Sequence, residues 1–406
     1  MGLCEKEYWI WLQAGLGAGN RAVARLLDAG LDAKQVYQMS DEEMTSAGLT
    51  KKDICRLRRI KSADILQVVK RCQSSQMEIL TPDMPEFPEK LLNLYAPPAA
   101  LYVKGNVDNL RLPVNITVVG TRTCTKYGYQ AAFHLSQGLA ACGIGVVSGL
   151  ARGIDSAAHK GALHADGITI GVAACGLDID YPYENTAMKR DILKRGTLVS
   201  EYCPGTPPFG GNFPVRNRLL AGIGAGVLVA EAGHHSGAMI TAHYALEQGK
   251  DVFAVPNNIF ETSAVGANEL IRQGAKAVSD VMDIIEEYIS LYPQAIRIHQ
   301  QVPQKEEIPS FSGVKEESVP KWEQALQEPV KTQNKATAQP PKTINPPVEL
   351  EGVAMEIYRM LQTGETGAEE LLAGIDKPSN EVLAALTELE ISGIVRRTAG
   401  GRFSIL

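Results

Sequence analysis

Four arginines stand where a strand-like run breaks at a small polar turn and a helical pattern begins. Arg122 ends Ile116-Thr-Val-Val-Gly-Thr-Arg122, and Arg152 lies in Val146-Val-Ser-Gly-Leu-Ala-Arg-Gly-Ile-Asp155. Arg216 and Arg218 flank Asn217 in Phe213-Pro-Val-Arg-Asn-Arg218, at the start of another helical run. A helix N-terminus carries unpaired N–H groups and a partial positive charge, so it attracts phosphate. A guanidinium adds a full charge and a planar fork that fits phosphate oxygens. Ser236-Gly237 opens one more helix directly after a strand. The candidate phosphate-binding set is therefore Gly120, Thr121, Arg122, Ser148, Gly149, Arg152, Gly153, Arg216, Asn217, Arg218, Ser236 and Gly237.

No catalytic constellation accompanies these turns. Gly-x-Ser-x-Gly, a P-loop and His-Glu-x-x-His are all absent. Glu231, Asp155, His234 and His235 could take part in acid–base work, but Asp155 also suits a helix cap and the paired histidines suit a polar loop. The glycine spacing is not that of a dinucleotide fingerprint, so no cofactor is expected. Seven cysteines without a Cys-x-x-Cys pair argue against zinc and against a disulfide framework, and for a reducing cytoplasm. No metal is expected.

The elements that must position the arginines follow from hydrophobic periodicity. Strands are expected at 116–120, 145–148, 168–174, 197–201, 226–230 and 251–255, with a short one at 100–103. Helices are expected near 126–142, 155–166, 184–195, 213–222, 238–248 and 264–273. Near-continuous apolar strands alternating with helices specify an α/β fold, a Rossmann-like doubly wound parallel sheet whose helix N-termini line one edge.

Flanking this core, residues 1–75 read as a small helical domain. Gly15-Leu-Gly-Ala-Gly-Asn20 and the basic run Lys51 to Lys61 resemble a helix-hairpin-helix module, in which hairpin amides hold a DNA phosphate. A solvated helical face is the plainer alternative. The domain boundaries expected are 1–75, a core over 76–290, a disordered tether over 291–347 rich in Pro, Gln, Lys and Glu, and a winged helix over 348–406.

The formal net charge of the 406-residue chain is −6, which does not suggest a general polyanion binder. It divides as +3 over 1–75, −5 over 76–290, +1 over 291–346 and −5 over 347–406, so any polyanion site must be local. No apolar run is long enough to span a membrane, and the N-terminus lacks the features of a signal peptide.

Eight phrases in order resemble the DprA (Smf) family of bacterial DNA-processing proteins. They are Val119-Gly-Thr-Arg122; Ser148-Gly-Leu-Ala-Arg-Gly-Ile-Asp155; Ala158-His-Lys-Gly-Ala-Leu163; Gly176-Leu-Asp178 with Tyr181-Pro182; Ser200-Glu-Tyr202; Phe213-Pro-Val-Arg-Asn-Arg218; Ser236-Gly-Ala-Met-Ile-Thr-Ala242; and Leu270-Ile-Arg-Gln-Gly-Ala275. Val255-Pro-Asn-Asn258 departs from the family's usual Pro-Gly. The resemblance implies a non-enzymatic mediator that binds and protects single-stranded DNA, delivers it to RecA during natural transformation and dimerises through its core. Leu270, Ile271, Val281, Ile284 and Ile285 are the apolar residues expected at the dimer contact. An alternative is a nucleotide-processing enzyme like the nucleoside-monophosphate phosphoribohydrolases, with Glu231 as its acid, although the Pro-Gly-Gly-x-Gly-Thr loop of those enzymes is missing. A scaffold with vestigial anion sites is a third possibility.

Overall fold

The computed structural model describes residues 3–297 and, discontinuously, 352–405. They fall into two compact units, one on either side of residues 298–351.

The first unit begins with six helices: α1 (Glu5–Leu16), α2 (Ala22–Asp28), α3 (Ala33–Gln38), α4 (Asp41–Ser46), α5 (Lys51–Arg59) and α6 (Ser62–Ser74). Side-chain oxygens start three of them, with Asp32, Ser40 and Thr50 each accepting a hydrogen bond from an amide in the first turn. Their apolar faces, including Ile10, Leu12, Leu57 and Ile65, share one core with Ile79, Ala99, Ala100 and Tyr102 of the sheet region. The helices are thus joined to the sheet by buried apolar surface.

The sheet has nine strands: β1 (Glu78–Leu80), β2 (Leu101–Gly105), β3 (Asn115–Gly120), β4 (Gly145–Ser148), β5 (Thr169–Ala173), β6 (Thr197–Ser200), β7 (Gly226–Glu231), β8 (Asp251–Ala254) and β9 (Lys276–Ala277). Their order is β1-β2-β6-β5-β4-β3-β7-β8-β9. β2 runs antiparallel to β1 and β6, and the pairs from β6 to β9 are parallel. The connecting helices are α7 (Lys126–Ala141), α8 (Ile154–His164), α9 (Thr186–Ile192), α10 (Asn212–Ile223), α11 (Gly237–Glu247) and α12 (Val265–Arg272), followed by α13 (Met282–Ile289).

Successive side chains of a strand point to opposite faces, and both faces are covered. Ile116 and Val118 of β3, with Leu228 and Ala230 of β7, pack under α7, α8 and α13. Val119, Val227 and Val229 pack on the opposite face under α10, α11 and α12. This is the expected doubly wound architecture, with an antiparallel extension at one edge.

The apolar residues expected at a dimer contact are mostly interior. Val281, Ile284 and Ile285 are 3%, 0% and 0% exposed in the core beneath α13, and Leu270 is buried on the other face. Their hydrophobicity covers the last strands of this chain, which corrects their assignment as contact residues. Ile271 is half-buried.

The second unit contains α14 (Gly352–Leu361), β10 (Thr366–Gly367), α15 (Ala368–Gly374), β11 (Val395–Arg397) and β12 (Arg402–Ile405). The strands pair antiparallel in the order β10-β12-β11 over a core that includes Ile357, Tyr358, Leu371, Val382, Leu386 and Phe403. Most of the third helix expected over 380–392, the turn at 399–401 and most of the tether expected over 291–347 lie outside the described residues.

Candidate nucleic-acid interface

Helices α7, from β3, and α11, from β7, cover opposite faces, so the doubly wound fold opens a crevice between these two neighbouring strands. That crevice is filled from within. The Glu231 carboxylate, at the end of β7 and 0% exposed, accepts the Thr125 N–H at 3.1 Å and the Thr125 hydroxyl at 2.6 Å, at the start of α7. Gly128 leaves the room: a Cβ there would lie 1.9 Å from a Glu231 oxygen. The N-terminus of α7 therefore already holds an anion belonging to the protein, and the carboxylate considered as a catalytic acid is a buried cap.

The open cleft lies to one side, over the ends of β4 and β5. Arg122, Gly149 to Arg152, Ala173 to Cys175, Tyr181, Pro182 and Phe213 line it. Arg122 and Arg152 are exposed. The Arg122 guanidinium sits 4.9 Å from the centre of the Phe213 ring, and Phe213 meets Tyr181 with ring centroids 5.7 Å apart. Arg152 reaches Glu184 at 3.5 Å, with both side chains about three-fifths exposed at 60% and 59%, so the pair is screened and exchangeable. Two exposed cations thus border an aromatic step.

The loop between the two arginines is held from inside. Leu150 adopts φ 62°, a left-handed conformation unfavourable for a branched side chain. Gly149 O accepts from Arg216 at 2.8 Å, Leu150 O from Asn185 at 2.9 Å, and Ala151 O from the Ser156 hydroxyl at 2.7 Å. Asp155 folds back to accept the Ala151 N–H at 3.3 Å. Burial pushes the Asp155 carboxyl up from its ordinary range, against the opposing pull of Arg216. Gly153, at φ 75°, turns the chain into α8, and a Cβ there would meet Thr121 O at 2.4 Å. These bonds draw the loop's carbonyls away from the cleft and leave its rim to the guanidinium groups.

Arg216, Asn217 and Arg218 occupy the first turns of α10 and point into the protein. Arg216 is 4% exposed and also donates to Val172 O, so it braces the β4 and β5 ends from below. Asn217 accepts from Arg216 Nε at 3.2 Å and donates to Gly237 O at 3.0 Å. Arg218 forms a buried ion pair with Glu201, the two side chains being 7% and 1% exposed. The assignment of all four arginines to phosphate binding is corrected accordingly: Arg122 and Arg152 meet at the cleft, while Arg216 and Arg218 are committed to internal partners. A buried charge needs such a partner, and neither has a face turned to solvent.

The remaining candidates have scaffold positions. The Ser148 hydroxyl donates to Val118 O at 2.7 Å, and the Thr121 N–H to Glu231 O at 2.8 Å. Gly120 lies so close to Ile154 that a Cβ would approach it to 2.5 Å. Ser236 and Gly237 begin α11 and are absent from the cleft lining. In the N-terminal hairpin, the Gly19 N–H donates to Glu201 Oε1 at 3.2 Å. That amide is occupied by the chain's own carboxylate, contrary to the expected phosphate role. Tyr181, which the sequence marks only through its family-like Tyr181-Pro182 phrase, also lines the cleft.

Among the described residues, no group of His, Cys, Asp and Glu is placed to hold a metal ion, and no helix is long and apolar enough to cross a membrane. Residues 78–289 match the family described as DNA recombination-mediator protein A, and residues 339–401 match the DprA winged helix domain. DNA processing protein DprA of Bacillus subtilis is 44% identical over 202 residues, which is 50% of this chain and 68% of that protein. Protein Smf of Synechocystis is 34% identical over 341 residues, 83% of this chain and 82% of its own length. The X-ray structure of DNA processing protein A from Streptococcus pneumoniae superposes with a TM-score of 0.62 at 34% identity, covering 71% of this chain and 99% of that one. With its parallel core, braced cleft and C-terminal unit, the chain belongs to the family of DNA recombination-mediator protein A.

Proposed function

We propose that this protein binds single-stranded DNA in the cleft bordered by Arg122 and Arg152 and passes the strand to RecA. The observation that carries the reading is the pairing of two exposed guanidinium groups with the Phe213–Tyr181 step. Cations beside aromatic rings suit single strands, whose phosphates need charge and whose unpaired bases present faces for stacking. Stacking accepts any base, so the binding is only weakly dependent on sequence. Membership in a recombination-mediator family supports delivery of the strand to a recombinase. The capped state of Glu231 weighs against the alternative of nucleotide hydrolysis through that residue.

A homodimer acting in the cytoplasm completes the proposal. Strand β9 ends the sheet, and half-buried Ile271 lies on neighbouring α12, so a second copy could pair there across a two-fold axis. Light scattering at high micromolar concentration tests this part, and a persistent monomer would refute it.

DNA binding is tested by anisotropy of labelled oligothymidylate and mixed-sequence strands with native protein and Arg122→Ala. The variant should weaken both substrates alike and lower the salt slope by about 0.7. A parallel assay should show no AMP hydrolysis by either protein. RecA filament formation on strands coated with single-strand-binding protein should be stimulated by the native protein and much less by the variant. Unchanged binding by Arg122→Ala would overturn the site assignment.

A further inference from the structure

We infer that the exposed face of α5 is a second phosphate-contacting surface, which holds single-stranded DNA after it leaves the cleft. This rests on the single-strand reading above and extends it to strands longer than the cleft can hold.

Helix α5 is anchored on one side by buried Asp53, Ile54 and Leu57. Its solvent side carries Lys51, Lys52, Arg56 and Arg59, with Lys61 just beyond, all exposed. Lys52, Arg56 and Arg59 are spaced by four and three residues, so they form one stripe along the helix. Among the described residues none of these five has an ion-pair partner, whereas Arg58 is bound to Asp41.

Nearby acids are largely committed elsewhere. Asp53 accepts from Thr50 and Asn20, Glu43 accepts the Ser40 N–H, and Asp64 accepts the Lys61 N–H. Glu42 stays exposed on α4. These bonds leave the carboxylates charged, but between residues 51 and 61 six basic side chains stand against Asp53 alone, so the stripe keeps a net positive charge. A row of cations fixed on a rigid helix is complementary to a polyanion.

A chain of contacts links the cleft wall to α5 through the N-terminal hairpin. Phe213 lines the cleft, and Val215, in the same turn of α10, packs against the hairpin at Gly19. The next residue, Asn20, donates to Asp53 at 3.0 Å, in the first turn of α5. Arg21, beside it, lies 3.9 Å from the ring centre of Tyr95, which is 67% exposed. An exposed cation–aromatic pair therefore stands near the junction of cleft and helix, where a passing base could stack.

The test compares full-length native protein with a variant carrying Lys51→Gln, Lys52→Gln, Arg56→Gln and Arg59→Gln. Glutamine keeps helix propensity at these solvent positions, and circular dichroism with thermal melting verifies folding. Oligothymidylates of about 6 and about 30 nucleotides are titrated across a salt series, the shorter matched to a single small site. The expected result is unchanged affinity for the short strand. The long strand should bind roughly tenfold more weakly, with a salt slope lower by about 2 to 3 for four lost contacts. Glutamate at the same positions should deepen the loss for the long strand.

Equal affinity of the native and glutamine proteins for the long strand overturns the inference. So does an equal loss for both lengths, which would indicate a general charge effect. Failure of native protein to bind even the short strand refutes instead the cleft reading on which the inference rests.

Discussion

Removing Arg218 distinguishes an internal brace from a DNA clamp. In Arg218→Ala the Glu201 carboxylate, with its side chain 1% exposed, loses its ion-pair partner yet stays enclosed by the N-terminal hairpin and α10. Breaking a buried pair from one side costs about 3–5 kcal/mol, because the surviving charge is left uncompensated. Gly19 N–H still donates to Glu201 at 3.2 Å, and the Gln13 amide is 3.5 Å away, which places the loss toward about 3 kcal/mol. At about 2–4 °C per kcal/mol for a unit of this size, the unfolding midpoint should fall by roughly 6–12 °C. Calorimetry reads that shift, and anisotropy below the transition reads DNA affinity. The folded variant should bind single strands within a few-fold of native protein. Adding Glu201→Gln and changing residue 218 to Met, as Arg218→Met, should recover much of the midpoint, because the stranded charge is gone. A variant of native stability that binds DNA at least tenfold more weakly would refute the assignment of Arg218 as a brace.

Arg122→Ala should show the opposite pattern, with weaker binding and an unfolding midpoint unchanged within about 2 °C, since its exposed side chain makes no buried ion pair. His159 is 0% exposed, and burial, aided by nearby Arg216, holds its imidazole down to about 3. The unfolded histidine titrates near 6.5, so its contribution is fully present above that pH and is lost as pH falls toward 3. Stability should therefore decline through this window by up to about 1.4 kcal/mol per pH unit from this group. His159→Gln should flatten the profile of unfolding free energy between pH 6 and 4; an identical slope would refute the contribution. Truncation after residue 297 should leave single-strand affinity within a few-fold of full length, because residues 347–406 carry a net charge of −5. A loss of tenfold, about 1.4 kcal/mol, would assign DNA contacts to the C-terminal segment.

The sheet was legible because its strands are apolar on both faces. Ile116 to Val119 and Val227 to Ala230 have to be buried twice over, and only helices on each side achieve that. The short strands were harder: β9 has two residues, and β1 has three in a proline-rich lead-in, so neither has a period to read. The site was less legible because electrostatics does not distinguish ligand from self. A helix start or glycine turn attracts any anion, and in three places the chain supplies its own: Glu231 at α7, Asp155 beneath the Gly149–Ala151 loop and Glu201 at the Gly19 hairpin. These carboxylates come from as far as 182 residues away in sequence. The sequence pattern did not separate Arg122 and Arg152, which are exposed, from the two buried arginines. The inward direction of Arg216 and Arg218 depends on α10 crossing the sheet, which local pattern does not specify.

The brace at the start of α10 also dictates where this chain can change length. Three successive side chains address three different elements, so their directions are correct in only one helical phase. Each residue added to a helix advances it by about 1.5 Å and rotates it by about 100°. A single insertion between Asn212 and Arg216 would turn all three side chains off their partners at once, releasing the loop beneath Arg152 and stranding Glu201 together. The same insertion at exposed Phe209 and Gly210 would be absorbed before the helix begins. The shape of the cleft is thus inherited from the phase of a helix that contributes only Phe213 to its wall.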